Sequence, residues 1–280
     1  MRVSSGRRLP PSPEVWFSWD NLVLTLAQCA CVALPAAGLP LFTRRYRTGA
    51  WALVLPLNIV VVVVAIALIP TTADVLTWVA LLLVPPGCAL ALGWAARGAR
   101  PWLAPLAAPL LALTWAAPDT RAGQIALTVL IAGSAVTVGR LLAGAAPLVL
   151  LKAGVVAMAV SDAYLVFSGQ LQQPNAVLVA AAPGLGLPQL QSAAFGHAGL
   201  GYGDFFAAAV VGGILAAERA PQVVPALVMV VVSLAWDQLF LIYDVLPATI
   251  PPALVLIGVE IWRARRRPRP APAAEALPSM

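Results

Sequence analysis

Long apolar runs alternate with short polar breaks along the whole chain. Nine runs can be read, over 22–42, 50–69, 75–96, 102–117, 125–142, 148–167, 198–217, 223–243 and 246–262. The breaks between them include "PTTAD", "RGAR", "PDTRAGQ" and "ERAP". A helix needs roughly 20 apolar residues to cross a bilayer, and most of the runs approach that length. None of them alternates with period two, which disfavours a β-barrel. The pattern predicts an all-α polytopic membrane protein with nine transmembrane helices. The organisation expected is an N-terminal tail at 1–20, a helix bundle over 21–146 (runs one to five), a second bundle over 147–262 (runs six to nine) and a basic tail at 263–280. The tail, rich in Pro and Ala from Pro268 onward, is expected to be disordered. The longest connection between runs, 169–197, holds "GQLQQPN" and then "AVLVAAAP", which is too short to span.

Composition agrees with the pattern. The 280 residues are 61% hydrophobic and 10% charged, with a mean hydropathy of +0.91. A soluble domain would carry about a quarter charged residues. The pI near 9.9 could point to nucleic acid. The arginines, however, sit in short loops and in the tail, where they orient a membrane protein. No nucleic-acid partner is expected; the expected surroundings are a lipid bilayer. Basic residues precede the first run and "LPAAG" lies near its end, as in a cleaved signal peptide. More membrane follows instead of a polar mature domain. Cys29, Cys31 and Cys88 all fall inside apolar runs and read as small hydrophobes. A metal site would need more ligands, so neither metal nor cofactor is expected.

With nine spans the two termini lie on opposite sides. One side then holds Arg2, Arg7, Arg8 and Arg121. The other thirteen of the 17 basic residues fall on the opposite side, from Arg44, Arg45 and Arg47 to the tail run "RARRRPRP". The positive-inside rule puts the C-terminus in the cytoplasm and the N-terminus outside.

Eleven residues are acidic. Most lie in loops or at helix ends: Glu14, Asp20, Asp74, Asp119, Glu218, Asp244, Glu260 and Glu275. Asp162, Asp204 and Asp237 fall inside apolar runs, where burying an ionisable group costs several kcal/mol and marks a functional candidate. Asp162 lies about six residues before the outer end of the sixth run, and Asp204 about six after the outer start of the seventh. Each is thus roughly 9 Å deep along its helix. Consecutive antiparallel helices would bring both carboxyls to one level. Two facing carboxyls cannot both ionise and share a proton. One can act as general base on a water. The other polarises a scissile carbonyl and then protonates the leaving amine.

Gly201-Tyr202-Gly203-Asp204, within "FGHAGLGYGDFFAAAVVGG", resembles the GxGD signature of the presenilin and signal peptide peptidase family of intramembrane aspartyl proteases. "VSDAYLVFSG" in the sixth run is similar to the family's other catalytic motif, usually Tyr-Asp, with Ser161 in place of the Tyr beside Asp162. The family's Pro-Ala-Leu motif has two counterparts in "VLPATIPPALVLI": the literal Pro252-Ala253-Leu254, and Pro247-Ala248-Thr249 at the start of the ninth run. The second is preferred for its depth. The resemblance spans the whole architecture. It implies a presenilin-like fold, catalytic Asp162 and Asp204, and peptide substrates that are themselves transmembrane helices. A cytoplasmic C-terminus matches the signal-peptide-peptidase orientation, which implies type II substrates.

Three rivals stay open, one of them a catalytically dead scaffold, motivated by Ser161 in place of the Tyr. A prepilin-type membrane aspartyl peptidase also carries GxGD, but it acts at the cytoplasmic face. A proton-coupled transporter could use the same carboxylates. Gly199, Gly201 and Gly203 are expected to loosen the seventh helix before Asp204. The "AVLVAAAP" run reads as a loop or as a strand that pairs with substrate. His197, the only histidine, is placed in the loop or interface. Asp237 with Gln238, near the outer end of the eighth helix, could line the cavity or reach the membrane interface, and the interface is preferred. Trp16, Trp19, Trp51, Trp102, Trp236 and Trp262, near the run ends, suit an aromatic belt.

Overall fold

The computed structural model describes residues 18–38, 41–69, 71–243 and 245–266. Glu14, Trp16, Asp244, Glu275, Arg2, Arg7, Arg8, Arg267, Arg269 and the tail from Pro268 lie outside the described residues. The molecule is mostly helical, at 77%. The helices are α1 (Trp19–Ala33), α2 (Val54–Leu68), α3 (Thr72–Leu90), α4 (Ala107–Ala116), α5 (Arg121–Ala145), α6 (Leu148–Phe167), α7 (Gln172–Ala180), α8 (Tyr202–Ala217), α9 (Val223–Asp237) and α10 (Ile250–Arg266). Short 3-10 turns lead into α2 and α4, and a π turn over Ala91–Ala95 prolongs α3. Each of the nine apolar runs contributes one of these helices.

Among the described residues, four helical stretches are long and apolar enough to cross a membrane: Gly49–Leu68, Thr72–Ala95, Arg121–Ala145 and Leu148–Phe167. Their length and composition fit an integral membrane protein. Large apolar side chains stand exposed on α2, α3, α6 and α9, among them Leu68, Leu82, Val149 and Val231. Such an outer surface is at home against lipid tails and not against water.

At the centre lies α8. Every residue from Phe205 to Ala216 is buried, so the helix is apolar all round and enclosed by neighbours. It packs against α1, α5, α6 and α10. Its closest approach is to α5, through small residues on both sides. A Cβ on Gly139 of α5 would overlap the Ala209 carbonyl, and one on Gly213 of α8 would lie 2.5 Å from the Gly139 oxygen. Small residues at such crossings let two backbones touch, which is how helices gain contact where lipid supplies no hydrophobic drive.

Between α6 and α8 the chain departs from the expectations. Residues 198–201 do not open the seventh helix. They form β2 (Ala198–Gly201), antiparallel to β1 (Ser192–Phe195), with Ser192 opposite Gly201 and Phe195 opposite Ala198. The physical reason is the pairing with 192–195, which satisfies backbone groups that a helix would otherwise have satisfied. The glycines therefore do not loosen a helix; they precede it. "AVLVAAAP" is neither loop nor strand over most of its length. Residues 172–180 form α7, which packs against α2 and α3. The amides of Gln189 and Gln191 donate to the Ala181 carbonyl at 2.7 and 3.3 Å, holding the end of α7 to the hairpin's approach.

The hairpin turn is tethered from below. Gly196, at φ +59°, donates its N–H to Gln124 of α5 at 2.9 Å, and the His197 N–H donates to Asp20 of α1 at 3.0 Å. A Cβ at Gly196 would overlap the Asp20 carboxylate. Asp20 also pairs with Arg121 at 2.8 Å, whose guanidinium lies over the Phe195 ring. His197 thus sits in a loop, as expected.

The opposite end of the bundle carries a cluster of basic and acidic residues. Lys152 of α6 pairs with Glu218, just after α8, at 2.5 Å and with Glu260 of α10 at 2.9 Å; Arg263 of α10 pairs with both acids. The cluster fastens α6, α8 and α10 together. Burial pushes the Glu218 carboxyl up, but the hydrogen bonds from Lys152 and Arg263 outweigh it and hold the group below its ordinary 4.5. A depressed carboxyl contributes stability that is full above the unfolded value and drains as pH falls through the folded one. Replacing Glu218 by Gln is therefore expected to cost about 1–2 kcal/mol near neutrality, between the values for exposed and buried pairs. Melting curves of wild type and Glu218→Gln in detergent should converge as pH drops below 4.5. A gap that persists unchanged to low pH would count against the ion pairs as its origin.

Candidate functional site

Asp162, Asp204 and Asp237 line one cavity of about 360 Å³. It lies at the hairpin end of the bundle, away from the basic cluster. Its walls come from the C-terminal ends of α6 and α9, the N-terminal ends of α1 and α8, strand β2, and the irregular stretch before α10. Asn21 and Thr25, one helical turn apart on α1, and Asn175 of α7 add neutral polar groups, and no Lys, Arg or His is among the lining residues.

Asp162 is buried near the end of α6. Its Oδ2 accepts a hydrogen bond from the Thr249 hydroxyl at 2.6 Å, a short distance of the kind formed between a hydroxyl and a carboxylate. Ser161 left open what supports Asp162, and Thr249 fills that place. Replacing Thr249 by Val is expected to destabilise the protein by about 1–1.5 kcal/mol, the net worth of a buried hydrogen bond. Thr249→Ser should keep most of the stability. Equal melting temperatures for the two variants would sink the assignment.

Asp204 occupies the third position of α8, inside the first turn and not six residues deep, because the helix starts at Tyr202. Its Oδ2 accepts the Gly201 N–H at 3.1 Å. The carboxyl thus caps its own helix, at the end where the helix dipole favours negative charge. Gly201 lines the cavity, whereas Tyr202 points to α5 and hydrogen-bonds Ser134 at 3.0 Å. Around Gly203 there is open space.

Of the two Pro-Ala sequences, Pro247 and Ala248 form cavity wall, and Thr249 reaches Asp162. Pro252, Ala253 and Leu254 do not line it. They sit in the first turns of α10, where Pro251 and Pro252 lack only an N–H that has no helical partner. Asp237 does not reach out to the interface; it lines the cavity at the last turn of α9. Trp236 also lines the cavity and so leaves the expected belt, while Trp19, Trp51, Trp102 and Trp262 are exposed.

Gln28 is the residue that run-by-run reading passes over. It lies on the same face of α1 as Asn21 and Thr25, and its amide donates to the carbonyls of Asp204 and Ala248. The available signal was a lone amide in mid-span, which in a membrane helix marks an interhelical hydrogen bond. The three cysteines are buried and free. Among the described residues, no three His, Cys, Asp or Glu side chains are grouped to hold a metal ion.

Two carboxyls lining one cavity can pass a proton through a water held between them and activate it. The wall of irregular backbone at 245–249 is of the kind tolerated at membrane depth where it lines a cavity. In comparison with known proteins, no family model, no curated protein and no solved structure matches this chain.

Proposed function

We propose that the protein is an intramembrane aspartyl protease that hydrolyses peptide bonds within transmembrane segments, with Asp162 and Asp204 as its catalytic pair. The observation that carries this reading is that three segments far apart in sequence meet at one cavity. They are the end of α6 with Asp162, the GxGD turn with Asp204, and Pro247-Ala248-Thr249. In this reading one carboxylate takes a proton from the water, which attacks the scissile carbonyl. The other carboxylic acid polarises that carbonyl and then protonates the leaving amine. No cofactor is needed. The open edge of β2, which pairs only with β1, offers hydrogen bonds to a substrate drawn out into extended form.

The same reading takes the nine apolar runs as nine spans in a presenilin-like fold. The cavity lies at the end of the bundle opposite the Lys152 and Arg263 cluster, which supports an outward-facing site, a cytoplasmic C-terminus and type II substrates. Asp237, a third carboxyl with no Lys, Arg or His among the described residues lining its cavity, favours one second reading: a proton- or cation-coupled transporter.

The test is purified protein in liposomes with single-span peptides inserted in both orientations, read by mass spectrometry. Cleavage inside the span of type II peptides, blocked by transition-state inhibitors of aspartic proteases, is the expected result. Cleavage only at the cytoplasmic face would favour the prepilin-type activity. Folded protein that cuts nothing but conducts protons would replace the protease reading with the transporter.

A further inference from the structure

Gln28 is only 3% exposed, in the middle of α1. A primary amide has two N–H donors in a fixed fork. Here Nε2 donates to the Asp204 carbonyl at 3.2 Å and to the Ala248 carbonyl at 3.1 Å. Ala248 lies in the non-helical stretch before α10, where its carbonyl has no helical partner, and a buried carbonyl needs one. The next residue, Thr249, donates to Asp162. An unbroken path therefore runs from the backbone of Asp204 through Gln28 to Ala248 and Thr249, and from there to the carboxyl of Asp162.

From this path we infer that Gln28 is a positioning residue for the pair Asp162 and Asp204. Its amide sets the separation between the start of α8 and the 247–249 segment, and through Thr249 the placement of Asp162. The inference rests on the protease reading for its kinetic consequence, but not for its geometric one. An apolar side chain of the same length fills the space and leaves both carbonyls unheld, so the two carboxyls drift relative to each other. Displacement of about 1 Å in a catalytic arrangement costs on the order of 100-fold in rate.

The test compares Gln28→Met, the milder Gln28→Asn, and Val32→Ala. Val32 is fully buried in α1 but lines no part of the cavity, so its truncation is a pure packing loss. Rates are normalised to sites titrated with a tight-binding inhibitor. Gln28→Met is expected to lower kcat about 10–100-fold, leave KM within twofold and move the limbs of the pH–rate profile. Val32→Ala should lower the melting temperature and leave kcat and the profile alone. Gln28→Asn, one methylene short, should fall between and stands in if Gln28→Met does not fold. An unchanged kcat and profile in a folded Gln28 variant overturns the inference.

A second readout is independent of proteolysis. Infrared difference spectra follow the carboxyl stretches with pH, assigned by their loss in Asp162→Asn and Asp204→Asn. If wild type cleaves nothing, the protease reading fails on its own. A changed carboxyl titration in the Gln28 variants still supports the positioning role, and superimposable titrations reject it.

Discussion

Replacing either Asp162 or Asp204 by Asn is expected to abolish proteolysis and leave the fold intact. General acid–base groups contribute about 10²–10⁴-fold each. Groups that act as a unit lose most of their effect when either is removed. The double variant should therefore be hardly slower than either single one. Structure should survive because Asn keeps the acceptor that each support uses. The Gly201 N–H can still donate to residue 204, and the Thr249 hydroxyl to residue 162. Asp237→Asn is the informative contrast, since that carboxyl lines the same cavity without touching Thr249 or Gly201. It is expected to retain cleavage within a few-fold. The measurement is product formation from a single-span peptide, beside thermal unfolding of each variant. Full activity in Asp162→Asn with loss in Asp237→Asn would reassign the pair.

The largest effect on stability is expected at Gly139. Ala is a better helix former than Gly by about 1 kcal/mol, so Gly→Ala in a helix should stabilise wherever space allows. On α10, a methyl added at Gly258 would have nothing within 4 Å, and Gly258→Ala should be neutral or stabilising. At Gly139 the methyl would meet the Ala209 carbonyl, which is backbone and cannot swing aside. Gly139→Ala should therefore destabilise by about 1–3 kcal/mol, the usual cost of overpacking, and lower the melting temperature in detergent. The same substitution is thus expected to have opposite signs on two helices of one protein. Equal shifts at the two positions would mean that the α5–α8 contact is not the one described.

The helices were legible because a bilayer demands long apolar runs, and little else produces them. Residues 148–167 read as one run and fold as one helix. The misses share a cause. "AGLG" at 198–201 is apolar enough to pass for the start of a span, and only pairing with 192–195 makes it a strand. Residues 172–180 gain helical order by packing on α2 and α3. Asp237 was visible as an acid at a helix end, but which way that end faces depends on α1 and α10, which pack against α9. The roles of Thr249 and Gln28 likewise need partners 87 and more than 170 residues away. Periodicity within a run carries none of that.

Each aspartate of the proposed pair has one oxygen already committed: Oδ2 of Asp204 to the Gly201 N–H, and Oδ2 of Asp162 to the Thr249 hydroxyl. The supports differ: the Thr249 hydroxyl for Asp162, the Gly201 N–H for Asp204. Two carboxyls that look interchangeable on paper are thereby made chemically handed. Under the proposed chemistry, water would then add to only one face of the scissile carbonyl. A substrate helix could be read in a single N-to-C direction, whichever side of the membrane it came from.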